Sequence, residues 1–296
     1  MSAGCCSPSR GGDAQSSAVA GTRSSAGSTD GMVPVPEGSF WMGSDDDHAY
    51  PDDGEGPPRA VELDAYWIDA CAVTNDAFAA FIADTGYVTE AERYGWSFVF
   101  GGLLPDDFPP TQAVAQAPWW RKVEGSSWRH PEGPHSSVES RQDHPAVHVS
   151  WNDAAAYAGW AGKRLPTEAE WEKAARGGLE RMVFPWGDAL VPDGEHRMNV
   201  WQGEFPQRNS LADGFLGTAP VRSFPANGLG LYEATGNVWE WTADLFDEQA
   251  PSHVQKGGSY LCHDSYCRRY RVAARQSSTP DSSTGNVGFR CVRGAA

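Results

Sequence analysis

Apolar residues recur at helical spacing in three segments of the chain. In the first segment Phe78, Phe81 and Ile82 fall on one face of a helix. Each of the other two segments begins with a hydroxyl residue three positions before a carboxylate, as Thr167 and Glu170 do, which is capping-box spacing. The pattern therefore predicts three helices, at 74–84, 150–162 and 167–177.

Strand-like runs alternate with turn-forming residues between these segments. The runs lie at 60–68, 146–149, 219–224, 237–243 and 287–292. Segment 184–220 has no regular pattern, although tryptophan and glycine are dense there. A long loop inside a compact domain needs something to organise it, and function or a bound metal is the usual reason.

Composition limits the classes of function. The 296 residues are 40% hydrophobic, with 33 Gly, 21 Pro and 13 Trp, which favours short elements and ordered loops. The formal charge of −16 argues against nucleic acid as a partner, because such binding rests on clustered Lys and Arg. No stretch approaches the length of a membrane span, so we expect no membrane partner either.

The N-terminal segment differs from the rest of the chain. Residues 1–31 are rich in Ser, Gly and Ala and contain no apolar run of signal-peptide length. We expect a disordered tail over 1–31 and one folded domain over 32–296. Without export the expected compartment is a reducing cytoplasm, where cysteines serve metals or redox chemistry more often than structural disulfides.

Two cysteines lie five positions apart, Cys262 and Cys267. On a helix they would be roughly 140° apart, and on a strand they would face opposite ways, so the chain must bend to bring their sulfurs together. Gly257 and Gly258 make such a bend cheap. Paired thiolates suit Cu(I) or a disulfide cycle, and the alternative is two unrelated core cysteines.

Three arginines follow Cys267 at positions 268, 269 and 271. Neighbouring cations lower a thiol pKa and favour the thiolate. The alternative is a strand through Tyr270, Val272 and Ala274 whose polar face carries the arginines. Five acidic residues near position 50 are interpreted as a solvated loop; they are Asp45, Asp46, Asp47, Asp52 and Asp53.

Oxygen-bearing side chains flank two turn-rich segments, Asn199 with Asp213 and Glu233 with Glu240. Calcium takes six to eight oxygens from carboxylates and loop carbonyls. Asn and Asp also initiate turns without any ion, so the residues alone leave both interpretations open.

Several blocks of the chain resemble the formylglycine-generating enzyme and sulfatase-modifying factor family, in the family's order. The shared blocks are 165–172 (LPTEAEWE), 236–241 (GNVWEW), 256–260 (KGGSY) and 286–291 (NVGFRC). The stretches that narrow the resemblance to formylglycine-generating enzymes are 117–120 (APWW), 128–134 (WRHPEGP), 144–166, 262–267 (CHDSYC) and 279–283 (TPDSS). The similarity extends over nearly the whole folded domain.

The resemblance implies an α+β, C-type-lectin-like fold with little regular secondary structure. It also implies an oxidase that converts the cysteine of Cys-x-Pro-x-Arg in unfolded or nascent sulfatases to formylglycine, using molecular oxygen, Cu(I) and an external thiol reductant. At the matching positions Cys262 and Cys267 would hold copper, with the substrate thiolate as a third ligand nearest Cys267. Ser259 and Trp239 would shape the oxygen pocket, with Tyr266 alongside.

The resemblance further implies two structural calcium ions. One would be held by Asn199, the Val200 carbonyl, Asp213 and the Phe215 carbonyl. The other would be held by Glu233, the Gly236 and Val238 carbonyls and Glu240. Glu233 replaces the asparagine expected there but still supplies oxygen.

The chain also departs from secreted members of that family. Ala158, Ala175 and Val272 stand where those members have disulfide cysteines, which leaves Cys291 unpaired. This fits a bacterial cytoplasmic member. We also expect the protein to be a monomer. The loop 244–255 is shorter than usual and has Leu245-Phe246 in place of a tryptophan pair, so substrate range or efficiency could differ.

The tail contains Cys6-Ser7-Pro8-Ser9-Arg10, which matches the sulfatase consensus Cys-x-Pro-x-Arg. One hypothesis is that this motif enters the chain's own peptide groove or is modified there, and the alternative is chance within a Ser-rich tail. Two other functions stay open. An iron-dependent sulfoxide synthase would need a helical domain and a histidine triad, and a non-catalytic lectin-like module would be expected to lose one of the two copper cysteines.

Overall fold

The computed structural model describes residues 6–10, 28–247 and 249–295. The helices are α1 Asn75–Thr85, α2 Glu90–Tyr94, α3 Trp151–Trp160 and α4 Glu168–Ala175. The strands are β1 Met32–Val35, β2 Gly38–Met42, β3 Arg59–Leu63, β4 Tyr66–Asp69, β5 Trp96–Phe100, β6 Gln112–Val114, β7 Ala117–Glu124, β8 Gly203–Glu204, β9 Arg208–Asn209, β10 Trp239–Asp247, β11 Ala250–Lys256, β12 Arg275–Ser278, β13 Val287–Gly288 and β14 Val292–Gly294. Short elements joined by long ordered loops make an α+β domain, as the family resemblance implies.

The three predicted helices are confirmed, and their caps are the predicted ones. Thr74 caps α1, while Ser150 and Thr167 begin complete capping boxes at α3 and α4. A capping box satisfies two backbone N–H groups at the helix start and so fixes where the helix begins. Helix α2 was missed because it has only five residues, although Thr89 begins a capping box there as well.

Two of the predicted strand runs are not strands. In 146–149 the N–H groups of Ala146 and His148 bond the carbonyls of Val73 and Thr284, and His148 has a φ of 59°. In 219–224 Arg222 has a φ of 72°. Residues in the left-handed region cannot continue a strand, so apolar alternation alone misplaced both runs.

Other predicted runs had the wrong boundaries. Run 60–68 divides between β3 and β4, run 287–292 divides between β13 and β14, and run 237–243 begins at Trp239. The predicted loop 244–255 is largely strand, because β10 continues to Asp247 and pairs antiparallel with β11. In the fully described stretch 184–220, regular structure is confined to the two-residue pair β8–β9 and one 3₁₀ turn, in line with the predicted long loop.

A four-stranded sheet positions the site. Its order is β12-β11-β10-β13, with β10 and β11 antiparallel and β10 and β13 parallel. The two cysteines of the site follow the end of β11, and the block at 286–291 runs through β13 beside β10. A second sheet, β1-β4-β14, pairs the start of the domain with its end.

An aromatic core supports this sheet from the side of α1 and α3. Phe78 packs on Trp128, Tyr157 and Phe289 with ring centroids 5.3, 5.9 and 6.3 Å away. The same buried cluster includes Trp239, Cys262 and Cys267, so the site is backed by densely packed apolar side chains. None of the four described helices has the length and apolar character that a membrane crossing would require.

Candidate active site

The loop that carries the two cysteines starts with a double-glycine turn. Gly257 and Gly258 have φ of 93° and 78°. A Cβ on Gly257 would lie 2.9 Å from the Ala234 carbonyl oxygen, and one on Gly258 would lie 2.8 Å from the Cα of Tyr270. Only glycine combines that backbone conformation with so close an approach, so the predicted bend is confirmed.

Two further turns bring the sulfurs together. The Cys262 N–H bonds the Ser259 carbonyl at 2.9 Å, and the Cys267 N–H bonds the His263 carbonyl at 2.7 Å. The Sγ atoms of Cys262 and Cys267 are 3.5 Å apart, and both side chains are buried. The two cysteines are therefore neighbours in one pocket, not unrelated core residues.

A third sulfur reaches the pair from the N-terminal segment. The Sγ of Cys6 lies 2.6 Å from the Sγ of Cys267, and Nη1 of Arg269 lies 3.3 Å from the Cys6 sulfur. The prediction of a disordered tail is wrong for residues 6–10, which are packed here; residues 1–5 and 11–27 lie outside the described residues. Composition predicts disorder here because it does not reveal that Cys6 packs into the core cluster and contacts Cys267 and Arg269.

The three thiols differ in acidity. Burial raises the pKa of Cys267, but hydrogen bonds from Cys262 and Cys6 and the charge of Arg269 lower that pKa well below its usual range. Burial and the contact with Cys267 raise the pKa of Cys262. The pKa of Cys6 is raised by its own hydrogen bond to Cys267 and by burial. Of the three thiols, Cys267 is therefore the one whose surroundings favour the thiolate.

Two of the three arginines after Cys267 are held by buried carboxylates of the acidic loop. Arg269 bonds both carboxylate oxygens of Asp53, and Arg271 bonds both oxygens of Glu55 at 2.7 Å. Asp53 is buried, so its assignment to a solvated loop is wrong. Residues 268–274 form no strand, which overturns the polar-face interpretation. The pairing was missed because the partners lie 216 positions apart.

Ser259 and Trp239 lie in the buried wall beside the cysteines. The Ser259 hydroxyl accepts a hydrogen bond from Nδ2 of Asn286 at 3.0 Å, and the Ser259 N–H lies 3.3 Å from the Cys262 sulfur. The indole N–H of Trp239 is buried and has no partner among the described residues. Asn286 was not singled out from the sequence, although it opens one of the shared blocks.

Tyr266 is buried between two aromatic rings beside Cys267. Its ring stacks on Phe205 with centroids 4.1 Å apart and meets Trp119 edge-on at 4.9 Å. The Trp119 indole N–H donates to the Tyr266 hydroxyl at 3.2 Å. These contacts fix the side chain immediately before Cys267.

The donor set of the pocket fits a soft metal ion. Thiolate sulfur is a ligand that favours soft ions, Cu(I) among them, and the loop supplies two such groups side by side. Within the described ranges, no group of three or more His, Cys, Asp or Glu side chains has the arrangement of a preformed metal site. The two loop thiols are the groups that would hold a copper ion.

The first oxygen set assigned to calcium fits a cation. Oδ1 of Asn199 is buried without a hydrogen-bond partner among the described residues. Oδ2 of Asp213 accepts from the Val200 N–H at 3.0 Å, and Oδ1 accepts from the Phe215 N–H at 3.0 Å. The amide nitrogen of Gln202 contacts both Asp213 Oδ2 and the Val200 carbonyl. The amide N–H₂ of Gln202 therefore occupies the position from which a cation would bind the Val200 carbonyl and Asp213 Oδ2.

The second oxygen set does not fit a cation. The Glu240 carboxylate bonds Arg290 through both oxygens and also accepts from the Trp171 indole at 2.7 Å. The Glu233 carboxylate accepts from the N–H groups of Arg222 and Phe224 at 3.0 and 3.2 Å. Both side chains therefore have partners, and the contacts of this set, which also includes the Gly236 and Val238 carbonyls, do not favour an ion between them.

Comparison with known proteins gives consistent matches across the domain. The sulfatase-modifying factor enzyme 1-like domain matches residues 16–295. The formylglycine-generating enzyme of Thermomonospora curvata is 55% identical over 280 residues, which cover 88% of this chain and 92% of that protein. The formylglycine-generating enzyme of Bos taurus is 53% identical, covering 98% and 85%. The structure of PvdO from Pseudomonas aeruginosa has a TM-score of 0.62 at 26% identity, covering 89% and 94% of the two chains.

Proposed function

The chain belongs to the sulfatase-modifying factor enzyme family, and on that premise we propose that it oxidises the cysteine of Cys-x-Pro-x-Arg motifs in sulfatases to Cα-formylglycine with molecular oxygen. The observation that carries the proposal is the pair of buried thiols 3.5 Å apart at Cys262 and Cys267. Identity of 55% to a formylglycine-generating enzyme over most of both chains supports the same reaction.

Cu(I) bound at this thiol pair would supply the redox chemistry that activates oxygen. Cys262 and Cys267 would hold the ion, and the substrate thiol would enter beside Cys267, the side that Cys6 contacts. The buried walls around the pair exclude water from the reacting atoms. Asn286 orients the Ser259 hydroxyl, and Trp239 presents an indole N–H with no described partner.

The remaining partners follow from the same reaction. An unfolded or nascent sulfatase would supply the cysteine, whose sulfur would leave as hydrogen sulfide. The substrate cysteine and an external thiol would each supply two electrons, which together reduce O₂ to water, and this suits a reducing cytoplasm. Calcium would have a structural role at the set of Asn199 and Asp213, and the protein would act as a monomer.

The test uses the full chain loaded with Cu(I), a thiol reductant and air-saturated buffer, with a synthetic peptide that contains Cys-x-Pro-x-Arg. Mass spectrometry would follow conversion of the peptide thiol to an aldehyde. We expect oxygen- and copper-dependent aldehyde from the unmodified protein and from Cys71→Ala, which alters a half-buried thiol outside the pair. Cys262→Ala and Cys267→Ala should make none.

Absence of aldehyde from a protein that binds Cu(I) at the thiol pair would reject the proposed reaction and favour a binding module. Equal activity in Cys267→Ala and Cys71→Ala would place the chemistry outside this pocket. The two results can be told apart because Cu(I) binding can be measured separately by competition with a colorimetric chelator.

A further inference from the structure

We propose that residues 6–10 occupy this chain's own substrate groove as a tethered ligand, which an external Cys-x-Pro-x-Arg peptide must displace. The inference rests on the proposed function, because it takes the groove beside Cys267 to be the peptide site. It makes the N-terminal segment a built-in competitor of the sulfatase substrate.

The cysteine end of the segment is seated at the reacting position. The Cys6 sulfur lies 2.6 Å from the Cys267 sulfur and 3.3 Å from Nη1 of Arg269. The Cys6 carbonyl accepts a hydrogen bond from Nδ2 of Asn286 at 3.0 Å. Asn286 also orients Ser259. The same side chain therefore links the segment's backbone to the wall of the pocket.

Hydroxyl groups fix the backbone that follows. The Ser278 hydroxyl donates to the Ser7 carbonyl at 3.2 Å, and the Arg10 N–H donates to the Ser282 hydroxyl at 2.7 Å. The Thr279 hydroxyl lies 3.4 Å from the Arg10 carbonyl. Recognition through backbone atoms does not depend on side chains, so the same contacts could serve any peptide with this backbone path.

The arginine end fills an aromatic pocket. The Arg10 guanidinium carbon lies 4.3 Å from the Tyr94 ring centroid and 4.0 Å from that of Trp96. Its Nη2 donates to the Trp96 carbonyl at 2.6 Å and to the Ser283 hydroxyl at 2.9 Å. Planar stacking combined with directed hydrogen bonds is a mode that guanidinium fits and ammonium does not.

Burial in this pocket works against the charge of Arg10, and Asp281 partly offsets that effect. Burial lowers the pKa of Arg10 to about 10, and the charge of Asp281 opposes that change. Arg10 therefore stays charged at neutral pH although it is buried. Asp281 bonds the Thr279 hydroxyl at 2.6 Å and the Tyr94 hydroxyl at 3.3 Å, which holds a negative charge close to the arginine site.

Chance similarity to the consensus does not account for this arrangement. Cys6, Pro8 and Arg10, the three positions that the consensus specifies, are all buried, as is Ser7 at one variable position, whereas Ser9 at the other is exposed. Occupation by a tethered segment reduces the population of the binding-competent state. The apparent Kd of an external ligand rises in inverse proportion to that population.

The test measures binding by the metal-free full chain, so that turnover plays no part. The probe is a fluorescent peptide with serine in place of the consensus cysteine, and its Kd is read by anisotropy. Arg10→Ala, and deletion of residues 6–10, should lower the apparent Kd about tenfold, as expected if the segment fills the groove about nine-tenths of the time. Ser9→Ala is the matched control and should leave the Kd unchanged.

A second readout does not use the peptide. Alkylation of Cys6 by iodoacetamide, followed by mass spectrometry, should be slow in the unmodified chain and faster in Arg10→Ala, with the half-buried Cys71 as internal reference. Protection of Cys6 should not change on dilution. Loss of protection on dilution would show exchange between two copies and overturn occupation within one chain.

The outcomes separate this inference from the proposed function. If the chain lacking residues 6–10 binds the peptide with the same Kd as the full chain, the tethered-ligand inference is overturned while the peptide site stands. If the deleted chain does not bind the peptide at all, the peptide site itself is rejected, and the inference is rejected with it.

Discussion

The guanidinium of Arg290 holds both carboxylate oxygens of Glu240, at 2.6 and 2.8 Å, and the two side chains are 0% and 1% exposed. Arg290 also bonds the carbonyls of Asp69, Ala70 and Tyr232. One buried ion pair thereby ties strand β10 to the end of β4 and to the segment at Tyr232.

Removing one partner of this pair should be costly. Glu240→Gln leaves the Arg290 charge buried with weaker compensation, and breaking such a pair costs about 3–5 kcal/mol. Urea unfolding would measure the loss. Glu124→Gln removes the partner of Lys122 in a surface ion pair, in which the Lys122 and Glu124 side chains are 33% and 72% exposed. This substitution should change the free energy of unfolding by less than about 1 kcal/mol. Similar losses in both variants would contradict a structural role for the buried pair.

The fit of the first oxygen set predicts a calcium response. Adding Ca²⁺ after chelator treatment should raise the Tm of the unmodified protein, because a ligand at a hundred times its Kd stabilises the folded state by about 2.7 kcal/mol. Asp213→Asn should reduce this rise, because it removes a carboxylate ligand. Asp193→Asn alters an exposed carboxylate in the same long loop and should retain the full response. Glu240→Gln should retain it as well, because its carboxylate is already engaged by Arg290. If calcium leaves the Tm of the unmodified protein unchanged, the assignment of this set is wrong.

His148 makes stability depend on pH. Burial lowers its pKa from 6.5 to about 4, with Arg10 and Arg141 reinforcing and Glu132 opposing that change. The folded state therefore holds the ring neutral. Its contribution is complete above pH 6.5 and is lost as the pH falls towards 4, because the unfolded chain then binds the extra proton. At about 1.4 kcal/mol per pKa unit the loss is about 3 kcal/mol.

A difference measurement isolates this contribution, because burial raises the pKa of Asp153 to about 7 and that shift acts in the opposite direction. His148→Asn keeps a residue type that tolerates φ of 59° and can bond the Ser97 hydroxyl. The stability of the unmodified protein minus that of His148→Asn should rise between pH 4 and 6.5. His135→Asn, at an exposed histidine, should give a flat difference, and a flat difference for His148→Asn would refute the prediction.

The double-glycine turn should tolerate no side chain. Gly258→Ala would force a Cβ to 2.8 Å from Tyr270 at φ of 78°, so we expect a loss of at least about 2 kcal/mol in urea unfolding. At Gly159 in helix α3 an added Cβ would meet no atom within 4 Å, and Gly159→Ala should stabilise by about 0.5–1 kcal/mol. A Gly258→Ala protein as stable as the unmodified one would show that the turn can shift.

The sequence by itself determined the parts of this protein that rest on local chemistry. Thr74, Ser150 and Thr167 cap their helices because a hydroxyl reaches an N–H three positions on. Cys262 and Cys267 meet because the intervening turns lie within one loop. Only the tertiary structure decided the burial of Asp53 against Arg269, the left-handed backbone of His148 within an apolar run, and the contact of Cys6 with Cys267 across 261 positions. Such contacts depend on how distant segments pack, and their energy comes from burial and charge pairing that no short window of residues contains.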